Sequence, residues 1–190
     1  MRKIIPPNAV LIPPSAKKVF TGQIFDVYQW PQKLYDGTTT TFEMLRRPDA
    51  CITIAVKDDK IVVEKEEQPH CAKISFPGGR NDVDGEDEFM AAAREMLEET
   101  GLAFAKWKLL DAYQPEGKID WLVYIFLATD FISETEPKLD AGEKVSWSLM
   151  DFSEVKDLVE TERRFQKSGE ILRRVNSLEE LLNLPEYGAK

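Results

Sequence analysis

Phe76-Pro77-Gly78-Gly79-Arg80-Asn81-Asp82-Val83-Asp84-Gly85-Glu86-Asp87-Glu88-Phe89-Met90-Ala91-Ala92-Ala93-Arg94-Glu95-Met96-Leu97-Glu98-Glu99-Thr100-Gly101-Leu102 opens as a glycine-rich loop and continues as a helix. The helix is predicted over 88–100, with Asp87 as N-cap and Gly101 as its stop. Phe89, Ala92, Ala93, Met96 and Leu97 recur at helical spacing and form the predicted buried stripe. Glu95, Glu98 and Glu99 stand at i, i+3 and i+4, so their carboxylates gather on one other face. Like charges at that spacing destabilise a helix by about 0.2–0.5 kcal/mol per pair. They also lie in the last turns, where the helix dipole disfavours anions. A sequence shaped by folding alone would place Lys or Arg there; a divalent cation reverses the sign of both effects. Carboxylate oxygens are what Mg²⁺ prefers, together with water and substrate phosphate oxygens. Arg94 reaches Glu98 one turn on and would hold it. Gly78-Gly79 lets backbone approach closely, and a main-chain carbonyl there would be a further ligand. Taken alone, the acidic face also reads as solvated surface.

Moving upstream, residues 51–56 and 61–66 flank Asp58-Asp59-Lys60 as the strands of a hairpin. Residues 1–48 read as a small β unit. In it Ile24-Phe25-Asp26-Val27-Tyr28-Gln29-Trp30 alternates apolar and polar, Asp36-Gly37 signals a turn, and 38–41 leading to Leu45 form the return strand. Downstream, 109–113 and 119–128 read as strands. The second is nearly continuous apolar, hence central in its sheet. Residues 153–190 read as helical. Ser177-Leu178-Glu179-Glu180 has capping-box spacing, with Leu178, Leu181 and Leu182 inward and 186–190 a frayed tail. The predicted fold is α/β, a sandwich with a mixed sheet between helices, divided as an N-terminal β subdomain over 1–48 and a main domain over 49–190.

The 190 residues suit one domain with a small appendage. The formal net charge of −9 argues against nucleic acid and anionic membranes as partners, both of which want a basic face. A small phosphate ligand stays compatible, because a metal ion inverts the local sign. The chain has one histidine, His70, which excludes HExxH metalloproteases, zinc fingers and His-rich zinc sites. No G-x-S-x-G elbow accompanies it for a Ser-His-Asp triad. Two cysteines, Cys51 and Cys71, suit a reducing compartment. Apolar runs such as 122–129 fall short of the ~20 residues of a membrane span. Proline pairs at 6–7 and 13–14 interrupt any signal-peptide core, and the expected location is cytoplasmic.

Glu86, seven residues, then Arg94-Glu95-Met96-Leu97-Glu98-Glu99-Thr100-Gly101-Leu102 resembles the second part of the Nudix hydrolase box. In that box a glycine and five residues precede the first glutamate. Here Gly79 and Glu86 are separated by six, so the loop is one residue longer. The resemblance implies a Nudix-type fold and metal-dependent hydrolysis of a nucleoside diphosphate linked to another moiety, with Mg²⁺ or Mn²⁺. It implies Glu95 and Glu99 as metal ligands, Glu98 acting on metal or water, and the Gly79 backbone as a further ligand. Glu86 and Arg94 would support these by charge pairing.

Val19-Phe20-Thr21-Gly22-Gln23-Ile24-Phe25-Asp26-Val27-Tyr28, Asp36-Gly37 and Pro115 resemble the ADP-ribose pyrophosphatases within that family. This implies cleavage of ADP-ribose to AMP and ribose 5-phosphate by a homodimer whose N-terminal unit helps build the partner's site. Other nucleoside diphosphate derivatives (dinucleotide polyphosphates, NADH, other nucleotide sugars) and a non-catalytic nucleotide-binding module are the alternatives. Where that subfamily has Gln-aromatic-Arg, this chain has Gln68-Pro69-His70. Arg46, Arg47 or Arg80 would then meet the substrate phosphates. Phe25, Tyr28 and Trp121 are stacking candidates, each with a plain packing role as the alternative. For the general base, the acidic loop 134–143 offers Glu143, with Glu136 and Glu134 behind it; Glu98 is the other candidate.

Overall fold

In the computed structural model the described residues are 2–68, 71–139, 142, 144–162 and 165–189. The elements are β1 (Lys17–Thr21), β2 (Asp26–Lys33), β3 (Thr39–Arg46), β4 (Asp49–Lys57), β5 (Lys60–Gln68), β6 (Cys71–Ser75), β7 (Arg80–Asn81), α1 (Glu88–Thr100), β8 (Leu102–Tyr113), β9 (Ile119–Asp120), β10 (Val123–Glu134), β11 (Val145–Met150), α2 (Phe152–Thr161), α3 (Gln166–Arg174) and α4 (Leu178–Leu182). One sheet has the order β11-β5-β4-β10-β8, with β6 beside β5 and β7 beside β4; a second runs β1-β2-β3-β9. The pairing of β10 with β4 is parallel, and with β8 antiparallel, so the sheet is mixed and the apolar β10 lies inside it.

Strand alternation distributes the core. Ile54, Val56, Ile61, Val63, Ile125 and Leu127 pack against Val155, Val159, Phe165, Leu172 and Leu181 of the C-terminal segment. Their neighbours on the opposite face, Cys51, Tyr124 and Phe126, pack against Ala91 and Ala92 of α1, and Ala55, Val62 and Ala128 pack against Met96. The result is an α/β/α sandwich. The hairpin between β4 and β5 turns on Asp58 and Asp59, both at positive φ (53° and 56°), as a two-residue hairpin with right-handed strand twist requires.

Five expectations need correction. The segment 119–128 is not one strand. Ile119 and Asp120 pair with β3 in the second sheet, and β10 starts only at Val123. The break falls where Leu122 exchanges bonds with the start of β4: its N–H donates to Asp49 Oδ1 (2.9 Å) and its carbonyl accepts from Ala50 N–H. The strand predicted over 109–113 begins instead at Leu102, because the β8–β10 ladder continues past the apolar run to Glu134. On α1 the buried residues are Glu88, Ala91, Ala92, Met96 and Thr100, while Phe89 and Leu97 are 45% and 44% exposed. Burying Glu88 is possible because its Oε1 accepts the N–H groups of Lys3 and Ile4 (2.6 and 3.0 Å); Phe89 leans edge-on against Trp107 instead. The C-terminal tail is docked rather than frayed, Tyr187 N–H donating to Leu109 O at 2.7 Å. At α4 Ser177 Oγ caps Glu180 N–H, but the Glu180 carboxylate accepts from Asn176 N–H rather than completing a box.

Candidate active site

The acidic end of α1 is held from three directions. Asp87 Oδ1 accepts Met90 N–H (2.8 Å) and fixes the helix start. Gly101 ends the helix at φ 73°, a left-handed conformation that glycine tolerates; a Cβ there would overlap the Thr135 carbonyl oxygen. The chain after β10 then runs along this end, Thr135 N–H donating to Gly101 O and Lys138 N–H to Glu98 O, both at 2.8 Å.

On that end Arg94 is the organiser. Its Nη1 donates to Glu95 Oε1 (2.8 Å) and Glu98 Oε2 (2.9 Å). Its Nε donates to both oxygens of Glu86 (3.0 and 3.1 Å), and its Nη2 to the Arg80 carbonyl (2.9 Å). Glu99 Oε2 accepts Gly78 N–H at 2.8 Å. The Glu95 carboxylate lies directly against the Gly79 Cα, where any Cβ would overlap it. Burial raises the Glu95 pKa above its ordinary value, and Arg94 opposes the rise. The Gly79 carbonyl accepts Cys51 N–H (2.9 Å), so one of its lone pairs serves the pairing at β4. With Arg94 between Glu95 and Glu98, no three acidic, histidine or cysteine side chains enclose a common point among the described residues.

Sequence reasoning missed Glu64. Alternation along β5 sends Ile61 and Val63 to the α2–α4 face and Val62 and Glu64 to the α1 face, where Glu64 is 3% exposed. There its carboxyl meets Glu99, and its pKa is pushed up to about 9, by burial first and by Glu99 next. Glu64 Oε1 has no hydrogen-bond partner among the described residues. The only sequence signal is a glutamate at a core-facing position of an otherwise apolar strand start.

A second group gathers nearby. The Arg47 guanidinium lies over the Trp121 ring at 4.4 Å and faces Phe25 at 5.7 Å. Burial, then the nearby charge of Arg80, lowers its pKa. Arg47 Nε and Trp121 Nε1 are both buried without a hydrogen-bond partner among the described residues. Trp121 sits in the break between β9 and β10, half-buried, not within a core strand. Arg46 and Arg47 line an open cleft of about 570 Å³ whose other walls include Gln23, Ile24, Asp49 and Asp82. Arg80 is exposed and pairs with Asp82 (3.4 Å); β7, which it begins, joins this cleft to Arg94. Tyr28 carries Lys18 over its ring instead. Of the base candidates, Glu134 pairs with Lys57 and Glu136 is exposed. Glu143 and His70 lie outside the described residues.

A NUDIX domain model matches residues 45–173. ADP-ribose pyrophosphatase of Bacillus subtilis (strain 168) is 29% identical over 150 residues, covering 76% of this chain and 80% of that protein. The methanol dehydrogenase activator of Bacillus methanolicus is 26% identical over 172 residues, covering 87% of this chain and 92% of its own. Among solved structures, an ADP compounds hydrolase superposes with a TM-score of 0.67 at 22% identity, over 87% of this chain and 94% of that one, a likeness of fold. No helix among the described residues is long and apolar enough to cross a membrane. Nudix hydrolases generally use a divalent metal and act on small-molecule nucleotide substrates. The chain belongs to the NUDIX family and is a Nudix pyrophosphohydrolase that resembles the ADP-ribose pyrophosphatases.

Proposed function

We propose that the enzyme hydrolyses ADP-ribose to AMP and ribose 5-phosphate with Mg²⁺, for which Mn²⁺ can substitute. The observation that carries this reading is the adjacency of two opposite deficits. The end of α1 gathers Glu86, Glu95 and Glu98 around one guanidinium, with Glu99 held beside them by Gly78 N–H, and the neighbouring cleft gathers arginines and rings.

The donor set suits a hard cation, being entirely oxygen. The missing Cβ at Gly79 leaves Glu95 in a cradle that a larger residue would fill. Glu95, Glu98 and Glu99 would hold the cation, with the second lone pair of the Gly79 carbonyl available beside them. A bound divalent cation would neutralise the diphosphate, polarise phosphorus and acidify water. The protein's own groups supply position. Arg94 fixes Glu95 and Glu98; Arg46, Arg47 and Arg80 meet the diphosphate charge; Phe25 and Trp121 offer ring faces to the adenine or the sugar. Glu98 is 44% exposed at its side chain and so accessible to solvent. It accepts the proton as water oxygen bonds to phosphorus and the bridging P–O bond breaks, with the second phosphate leaving.

A homodimer completes the proposal. Val19, Phe20 and Ile24 on or beside β1 are 51%, 61% and 55% exposed, and Ile24 also lines the cleft. A second copy covering this edge would bury them next to the site, and light scattering at micromolar concentration should give twice the chain mass. The buried free thiol of Cys51 suits the reducing cytoplasm.

The test is AMP release from ADP-ribose with and without Mg²⁺, beside NADH and dinucleotide polyphosphates. Preferred turnover of another compound would replace the substrate; cation-dependent nucleotide binding without any turnover would replace the reaction with a sensing role.

A further inference from the structure

We propose that Glu64 is a direct ligand of the divalent cation, a carboxylate supplied by the sheet that meets Glu99 of the helix. The inference rests on the cation-dependent reading above and extends it to a residue outside the Glu86–Leu102 stretch.

Glu64 is 3% exposed, and its position is set by β5, which is paired on both sides: with β6 through the Glu64–Ser75 register and with β11 through Glu64–Trp147. A strand held on two edges leaves the carboxyl little freedom to seek solvent. No ion pair to Glu64 forms among the described residues. Glu66 adds a like charge, and Lys73, the basic group that acts on it, is committed to Glu66 at 2.5 Å. The group it meets is Glu99, which is itself fastened by Gly78 N–H. One oxygen of Glu64 remains buried with no hydrogen bond among the described residues. Buried polar atoms are almost always paired, and a buried carboxylate beside another is among the least favourable arrangements a core can hold. Its β5 neighbours Val62 and Val63 show what this stretch of strand carries where packing alone decides. A cation between Glu64 and Glu99 removes both difficulties, giving the orphaned oxygen a partner and turning the repulsion into attraction. Alternatively, Glu64 retains a proton, donates it to Glu99, and serves as a neutral packing group.

Mn²⁺ titration separates the two, followed by calorimetry and by the electron paramagnetic resonance of free Mn²⁺. The full chain is used as wild type, Glu64→Gln and Glu64→Val. Glu64→Gln keeps the shape and one hydrogen bond of a protonated carboxyl. Ligation predicts that it weakens Mn²⁺ binding by about 10-fold or more, since losing even an outer-shell partner of a ligand costs that much. It predicts that Glu64→Val melts higher than wild type without metal and loses most of the Mn²⁺-induced rise in Tm. A Kd for Glu64→Gln within twofold of wild type, with an unchanged Tm rise, overturns the proposal while leaving the helix glutamates and the hydrolase reading intact. No Mn²⁺ binding by wild type at millimolar concentration overturns both. Tight binding lost in Glu64→Gln, in a protein that does not cleave ADP-ribose, supports the ligand and removes only the substrate.

Discussion

Helix α1 has acidic clusters at both ends, and the protein treats them oppositely. At the N-terminal end the acids are satisfied by the chain. Glu88 takes two backbone N–H groups, Asp87 takes Lys3 and the Met90 amide, and the neighbouring buried pair Asp49 and Asp120 closes on Arg2 at 2.5–2.6 Å. The helix dipole favours anions there as well. At the C-terminal end Glu95, Glu98 and Glu99 work against the dipole, Glu64 approaches from the sheet, and Arg94 is shared among Glu86, Glu95 and Glu98. Acidic residues at the first end serve the fold. On the proposed function, those at the second serve a bound cation.

That contrast is broken most severely at Glu99. Glu99→Gln keeps the shape and an acceptor for Gly78 N–H but removes a charge, and should lower ADP-ribose turnover by about 10²–10³-fold with unaltered circular dichroism. Equal turnover would make this end as structural as the other. At the opposite end Arg2→Ala should act on stability. It strips the partner from two carboxylates that are 7% and 4% exposed, and should cost about 3 kcal/mol in urea denaturation. A loss below about 0.5 kcal/mol, the scale of an exposed pair, would show that the first end is not neutralised as described.

Gly101→Val probes the join between the two kinds of residue. At φ 73° a branched side chain is strained, and its Cβ overlaps the Thr135 carbonyl. The expected loss is about 2 kcal/mol, measured by urea denaturation, with the melting transition shifted down accordingly. A neutral outcome would mean that the helix stop tolerates rearrangement, and with it the placement of Glu98 and Glu99.

What the sequence disclosed follows the range of the interactions involved. The bounds of α1, its cap at Asp87, its stop at Gly101 and the clustering of Glu95, Glu98 and Glu99 depend on residues within a turn or two, and spacing alone exposes them. The exposed Phe89 and Leu97 were hidden because the rotation of α1 is set by Glu88, whose partners lie more than eighty residues away. Glu64 was hidden for the same reason, since nothing between it and Glu99 announces that β5 and α1 meet there. Arg47 and Trp121 were legible as residue types with two uses each. Their stacking depends on the break at Trp121, which an unbroken apolar run conceals.

The gentlest probe of the comparison is Cys51. Its thiol donates to the Glu88 carbonyl at 3.2 Å, so the side chain reports first on the N-terminal end of α1, while its backbone N–H, on the Gly79 carbonyl, also touches the other end. Burial first, then the nearby charges of Glu88, Asp49 and Glu95, pushes its pKa far above the ordinary thiol value. Reaction with a disulfide reagent requires the thiolate, so at pH 8 labelling must wait for this end to open. In a Cys71→Ser background, where Cys51 is the single thiol, native labelling should be slow and should accelerate as Arg2→Ala loosens the end. Saturating Mg²⁺ should slow it only as far as it stabilises the whole fold. If Mg²⁺ protects Cys51 while leaving global unfolding unchanged, the two ends of α1 are coupled locally, and the division between structural and functional acids is wrong for this helix.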